Sequence, residues 1–307
     1  MSIKIIFLGT AGSVPTSARS LPATLMKRQN EQIIFDCGEG VQRQMVTARV
    51  GFHKKTKIFI THMHGDHVLG LPGLLQTMAL MDRKKKLEIY GPEGTKQFLE
   101  CIRENLHFGL TFPVEINEIH DVGIVCEEKE YVVEAAKSNH VIASLAYAFV
   151  EKPRPGKFYP EKAKALGIPE GELWSKLQHG NTITLTKGQI IKPQDVLGPQ
   201  RHGRKIVYTG DTRPFANFSK FAADADLIIH DSTFDDALAE KAELDGHSTP
   251  SQAGKQARKA KAKTLILTHI SARYSNPSLL LEQAQKEFKN TCIAKDFMKL
   301  ELPLLDH

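Results

Sequence analysis

The heptapeptide Thr61-His62-Met63-His64-Gly65-Asp66-His67, directly after Lys57-Ile58-Phe59-Ile60, limits the possible folds most sharply. The preceding run is β-branched and aromatic and reads as a buried strand. His62 and His64 stand two residues apart, so extended backbone turns both to one face. Gly65 permits a sharp turn, and Asp66 and His67 then address a second position. Neutral imidazoles and a carboxylate are the ligand set for zinc and similar ions. A lone histidine is usually a surface or core residue. Three histidines and an aspartate in this order after a strand point to a metal site.

A metal pair needs more ligands than one loop provides, and the candidates sit just past other predicted strands. Asp211 follows Ile206–Gly210, and His269 follows Leu265–Thr268. His140 follows Ala135–Asn139 and precedes an apolar strand; taken alone it is as readily an ordinary histidine. The shared placement at strand ends implies one convergent edge. Strands are expected at Ile3–Leu8, Gln32–Phe35, Leu87–Tyr90, Val114–Ile119, Tyr131–Ala135, Ser144–Val150, Ile206–Thr209, Asp226–His230 and Thr264–Thr268. Helices are expected at Val41–Ala48 and Thr95–Leu106, and two more begin at Ser248-Thr249-Pro250 and Asn276-Pro277, a polar cap before a proline. Leu74–Met81 is too apolar for one helix face and reads as core or subunit contact. Loose alternation of strands and helices argues for layered α/β sheets.

With 307 residues the chain can bury a large core as one α/β unit. The longest apolar run near the middle, Val141–Val150, is too short to span a bilayer. Met1–Gly9 reads as a strand and not a signal peptide. Cys37, Cys101, Cys126 and Cys292 form no Cys-x-x-Cys pair, and a reduced, cytoplasmic setting is expected. The net charge of +6 suits a polyanionic substrate, and its distribution matters more than its sum. From Glu151 to Lys164 the chain carries Lys152, Arg154, Lys157, Lys162 and Lys164 against Glu151 and Glu161. With four prolines from Pro153 to Pro169, the segment from Glu151 to about Leu185 reads as a coreless, projecting basic arm that contacts a phosphate backbone. A solvated insertion is the plainer alternative.

Around the edge, Asp231 follows a strand and is placed to orient an imidazole, while His230 reads as a core histidine. His247 lies just before a helix start, where N–H groups and the dipole of Ser248 and Thr249 favour an anion; a simple helix cap is the alternative. Arg273, soon after His269, offers a planar fork for a phosphate.

His-x-His-x-Asp-His after a strand resembles the hallmark of the metallo-β-lactamase superfamily. The resemblance implies a four-layer αββα sandwich, with residues 1–307 as one domain carrying the arm at about 151–185. It implies a pair of Zn2+ ions per subunit, with Mn2+ also suited. One ion takes His62, His64, His140 and Asp211; the other takes Asp66, His67, Asp211 and His269. Gly246-His247-Ser248-Thr249, His269-Ile270-Ser271-Ala272-Arg273-Tyr274, Phe35–Gly40 and Leu8–Pro15 further resemble the tRNase Z family of tRNA 3′-processing endonucleases, over nearly the whole chain. That resemblance implies cleavage of precursor tRNA after the discriminator nucleotide, leaving a tRNA 3′-hydroxyl. Asp66 would accept the attacking water's proton and His247 would protonate the leaving oxygen. It also implies a homodimer in which the arm of one subunit grips tRNA for the other. The family's usual Gly-Pro in the arm stands here as Gly171-Glu172. Two other readings are a hydrolase of the same fold acting on small phosphodiesters or aryl sulfates, and an RNA-binding protein without activity.

Overall fold

The computed structural model describes residues 2–186 and 188–304. Strands β1 (Ile3–Gly9), β2 (Ala23–Arg28), β3 (Glu31–Phe35), β4 (Lys55–Phe59), β5 (Leu87–Gly91) and β6 (Val114–Glu118) build one sheet. Strands β7 (Gly123–Glu127), β8 (Tyr131–Lys137), β9 (Leu145–Glu151), β10 (Lys205–Tyr208), β11 (Leu227–Asp231), β12 (Leu265–Thr268) and β13 (Thr291–Ile293) build the other. Strand β14 (Lys299–Leu302) returns to close the first sheet, whose order is β14-β1-β2-β3-β4-β5-β6. The second runs β13 to β7 in simple descending order. In each sheet four strands are parallel, β3 to β6 and β10 to β13, so their carboxyl ends share an edge.

Period-two alternation puts the sheets face to face. Ile3, Ile5 and Phe7 of β1, Ile33 and Phe35 of β3 and Phe59 of β4 join Tyr147, Phe149, Ile206, Tyr208 and Ile229 in the central core. Their alternates Ile6, Leu8, Ile34 and Ile58 face outward and pack under helices Val41–Thr47, Gly70–Leu80 and Thr95–Leu106. On the second sheet Val207, Ile228, Leu265 and Leu267 meet Ala253 and Ala257 of helix Pro250–Lys259 and Leu280 and Ala284 of helix Ser278–Glu287. These are the four expected layers. The apolar stretch after the histidine cluster divides: Leu71, Leu74, Leu75 and Met78 are buried, whereas Leu80 is 88% exposed.

Strand positions match expectation within a residue or two, but β2, β7, β13 and β14 escape a reading of apolar runs. Strands β7 and β14 are sheet edges with mixed exposure. Strand β2 turns into β3 through Gln29 at φ 51, a left-handed turn built without the glycine that usually marks one. At the second proline start, Pro277 precedes the helix, and the Asn276 side chain accepts the Ser278 N–H at 3.1 Å.

Residues 151–204 form a compact unit of their own. The unit runs well past the expected end near Leu185 and is not coreless. It contains helices Pro160–Ala165 and Glu172–Gln178 and a small hairpin, Ile183–Thr184 with Ile190–Ile191. Ala163, Ile168, Leu177, Ile183, Ile191 and Val196 are its buried centre. Trp174 packs there against Phe158, donating its indole N–H to Ile168 at 3.1 Å. The two ends are clasped by a bidentate pair, Arg204 Nε to Glu151 Oε2 at 2.7 Å and Arg204 Nη2 to Oε1 at 2.8 Å. Lys157, Lys162 and Lys164 are exposed; Lys152 and Arg154 are half-buried. Gly171 sits at φ 121, ψ −130, a region open to glycine, and Glu172 starts the helix and pairs with Lys176 at 2.8 Å. An acid at the first helical position suits the helix dipole, so Glu172 tolerates the place a proline would take.

Candidate metal centre

The ends of four parallel strands, β4, β10, β11 and β12, deliver side chains to one edge. Beyond β4 come His62, His64, Asp66 and His67; beyond β10, Asp211; β11 ends on Asp231; beyond β12 comes His269. His140 arrives from the loop between β8 and β9. Gly210, at φ 58, passes so close to Thr61 that a Cβ would lie 2.6 Å from its side chain. Gly246, at φ 86, would place a Cβ 2.5 Å from His140 Nδ1. These two approaches need glycine; one sets a loop against Thr61, the neighbour of His62, and the other against His140 itself.

The side chains converge as two groups. His62 Nε2 and His140 Nε2 lie 3.1 and 3.2 Å from His64 Nδ1. His67 Nε2 and His269 Nε2 each lie 3.4 Å from Asp66 Oδ2. Asp211 Oδ2 stands between the groups, 3.2 Å from His269, 3.4 Å from His67 and 3.7 Å from His62. His67 Nε2 and Asp211 Oδ1 are buried without a hydrogen-bond partner. Orphaned donors of this kind, in a set of five imidazoles and two carboxylates, fit a pair of divalent ions. Every metal-capable residue expected from sequence is in this constellation.

Behind this set, four of the five rings are fixed through the other nitrogen. His67 Nδ1 donates to Asp36 Oδ2 at 2.8 Å, and His140 Nδ1 donates to Gly246 O at 2.7 Å. His62 Nδ1 meets Thr61 Oγ1 at 2.9 Å, and His269 Nδ1 meets Thr233 Oγ1 at 2.8 Å. Such partners choose the tautomer and aim the free lone pair. Asp36, at φ 57 and fully buried, also accepts Thr61 N–H at 2.8 Å and the Tyr208 hydroxyl at 2.9 Å. Asp36, Thr61, Tyr208 and Thr233 were not singled out from sequence; an acid closing a buried strand is the one signal that could have found Asp36. The loop after β1 also reaches the site, where Ser13 N–H donates to Asp66 Oδ2 at 3.0 Å.

Electrostatics agree with this geometry. Burial opposes the charge on Asp66, and His269 and His67 outweigh it, holding its carboxyl well below the usual range. Burial likewise opposes charging of His67, yet Asp211 and Asp36 raise its pKa. A field that favours a proton there favours a cation in its place.

His247 is 7% exposed and donates from Nδ1 to Asp231 Oδ2 at 3.0 Å. Burial lowers its basicity, but Asp231 and then Asp211 push its pKa up to about 9. Asp231 thus orients His247, and through the Thr233 hydroxyl at 2.7 Å it also supports His269. The expected anion seat on Ser248 and Thr249 is filled from within the protein. Ser248 N–H donates to Asp231 Oδ2 at 3.2 Å, Ser248 Oγ donates to Thr212 O at 2.6 Å, and Thr249 caps its helix through Gln252. His230 is a core histidine, with Nδ1 on Asp231 O at 2.8 Å. Arg273 is exposed, its guanidinium 5.3 Å from the centroid of the Phe234 ring.

Two layered sheets with an His-x-His-x-Asp-His loop at their common edge define a metallo-β-lactamase superfamily hydrolase. Family models agree: "Beta-lactamase superfamily domain" matches residues 170–270 and "Anti-Pycsar protein Apyc1" matches residues 3–150. Ribonuclease Z of Methanosarcina acetivorans is 45% identical over 302 residues, covering 98% of both chains, and that of Archaeoglobus fulgidus is 45% identical over 98% of both. The chain belongs to the ribonuclease Z family. Among solved structures, human short-form tRNase Z aligns with a TM-score of 0.72 at 30% identity, covering 98% of this chain and 99% of that one. Yeast PDE1, at 15% identity and a TM-score of 0.62, shares the fold.

Proposed function

We propose that the converging donors hold a pair of zinc ions, and that precursor tRNA is cut at this centre immediately after the discriminator nucleotide. The chain is a tRNA 3′-processing endoribonuclease, which leaves the small-ester and purely RNA-binding readings without support. One observation carries the site assignment: Asp211 Oδ2 lies within 3.7 Å of His62, His67 and His269. His62, His64, His140 and Asp211 would hold one ion, and Asp66, His67, Asp211 and His269 the other. When bound, such ions acidify a water and neutralise charge on phosphoryl oxygens. Manganese suits the same donors.

The chain's own groups do the rest. Asp66, fixed by the Ser13 N–H, takes the proton of the attacking water. His247, held by Asp231 through Nδ1, is left with Nε2 to protonate the leaving 3′-oxygen. Arg273 offers its exposed guanidinium fork to a substrate phosphate from the open side. Lys157, Lys162 and Lys164, with Lys152 and Arg154, serve as the tRNA grip, a role supported by the exposure of the first three. A homodimer is supported by apolar side chains left open on neighbouring helices of one outer layer, Val46, Leu80 and Leu106. We place the protein in the cytoplasm, in keeping with four free cysteines. No helix among the described residues is long and apolar enough to cross a membrane.

The test is incubation of a 3′-extended tRNA with and without chelator, mapping the cut to one nucleotide. Cleavage after the discriminator that stops with chelator and returns with zinc is the expected result. Cleavage elsewhere, or insensitivity to chelator, refutes the assignment.

A further inference from the structure

Beside the metal centre lies an arrangement of which the chemistry above uses only Arg273. Phe234, which follows β11, is 6% exposed, and its ring lies edge-on to His247 with centroids 5.9 Å apart and planes at 71°. Two cations stand on this ring: Arg273 Cζ at 5.3 Å and Lys241 Nζ at 5.4 Å from the centroid. They come from separate parts of the fold, Arg273 from the loop after β12 and Lys241 from helix Ala239–Asp245. Arg273 has no acidic partner among the described residues, and Lys241 has one, Asp245 at 2.7 Å. The ring is buried and fixed, so it restricts two otherwise flexible side chains.

We propose that Phe234 is a positioning residue that holds Arg273 and Lys241 as a paired clamp on RNA backbone phosphates flanking the scissile one. The inference rests on the ribonuclease reading and names how that site grips its polymer. A cation on an aromatic face keeps its outward N–H groups free, and a guanidinium fork fits phosphate oxygens. The ring borders His247, so the two cations stand next to the reacting bond rather than at a distant binding surface. Lys241 can exchange Asp245 for a phosphate, because that pair is partly exposed on both sides and weak.

The experiment compares wild type, Phe234→Leu, Phe234→Tyr and Lys241→Gln on two substrates. One is a 3′-extended tRNA, with several phosphates, and the other is bis-p-nitrophenyl phosphate, with one. Phe234→Leu keeps apolar bulk and removes the ring's negative face. Its kcat/KM on the tRNA, relative to that on the small ester, falls about tenfold, mainly through KM. The slope of log affinity against log salt falls by about one for each released cation. Phe234→Tyr restores both, and Lys241→Gln lowers the slope by about one. An unchanged KM and salt slope in Phe234→Leu overturns the inference. So does a parallel loss on both substrates through kcat, which would mean that the ring merely seats His247. Wild-type protein that leaves the tRNA intact defeats the ribonuclease reading itself; wild type that cuts while Phe234→Leu behaves identically defeats the clamp alone.

Discussion

Replacing Asp36 by asparagine tests whether the hydrogen bonds behind the donors govern the metal centre. The change is nearly isosteric and replaces one accepting oxygen by an NH2 group. Asp36 Oδ1 accepts Thr61 N–H at 2.8 Å, and Oδ2 accepts His67 Nδ1 at 2.8 Å and the Tyr208 hydroxyl at 2.9 Å. If the new NH2 faces His67 and Tyr208, the hydroxyl can turn and accept. His67 can accept only by moving its proton to Nε2, and the lone pair aimed at Asp66 and Asp211 is lost. Disrupting such a partner weakens metal binding by about 10–100-fold, roughly 1.4–2.7 kcal/mol. If the amide turns the other way, NH2 faces the Thr61 N–H, and two buried donors oppose each other. That costs about 1–3 kcal/mol of stability. Zinc affinity is measured by competition with a chromophoric chelator, and stability by urea unfolding of chelator-treated protein. At least one of the two must fall by these amounts. An Asp36→Asn protein with wild-type zinc affinity and wild-type unfolding would refute the reasoning.

Asp211→Asn is expected to lower bound zinc below that of wild type, since its oxygen is shared by both groups; elemental analysis of purified protein reads this. His247→Ala should lower kcat on precursor tRNA by about 10²–10⁴-fold while zinc content is kept. Leu80→Glu should shift sedimentation from dimer to monomer mass, and an unchanged dimer removes the proposed contact. Lys57 is buried and ion-paired with Glu88 and with Glu128 at 3.0 Å. Burial raises the Glu88 carboxyl, but the Lys57 ammonium outweighs it and lowers its pKa. A lowered carboxyl contributes stability above its unfolded pKa of about 4.3, lost as pH falls through the folded value. The urea-unfolding penalty of Glu88→Gln should therefore be present at pH 7 and shrink in acid; a penalty independent of pH would contradict this.

Apart from His140, which only the family resemblance lifts, the donors are readable in the sequence because they follow short apolar strands whose carboxyl ends share an edge. What lies behind them is not. Asp36 meets Thr61, His67 and Tyr208, partners brought together only by the packing of two sheets. The sequence at Pro250 predicts a capped helix start open to a phosphate, and Thr249 does cap the helix. That Asp231 already occupies the neighbouring N–H group is a contact between distant loops. From sequence the basic insertion reads as coreless because its charges are contiguous while its apolar residues are scattered. Ile191 and Val196, which lie past Leu185, complete that small core.

Asp231 reaches His247 through one oxygen and His269 through the Thr233 hydroxyl on the other. A proton donor and a cation-holding ring thus hang from one carboxylate. A disturbance that rotates this group moves both together, so damage at either function should be inherited by its neighbour. Substitutions on the two branches should consequently show strong epistasis, whereas pairs of distant residues that share no contact should act independently.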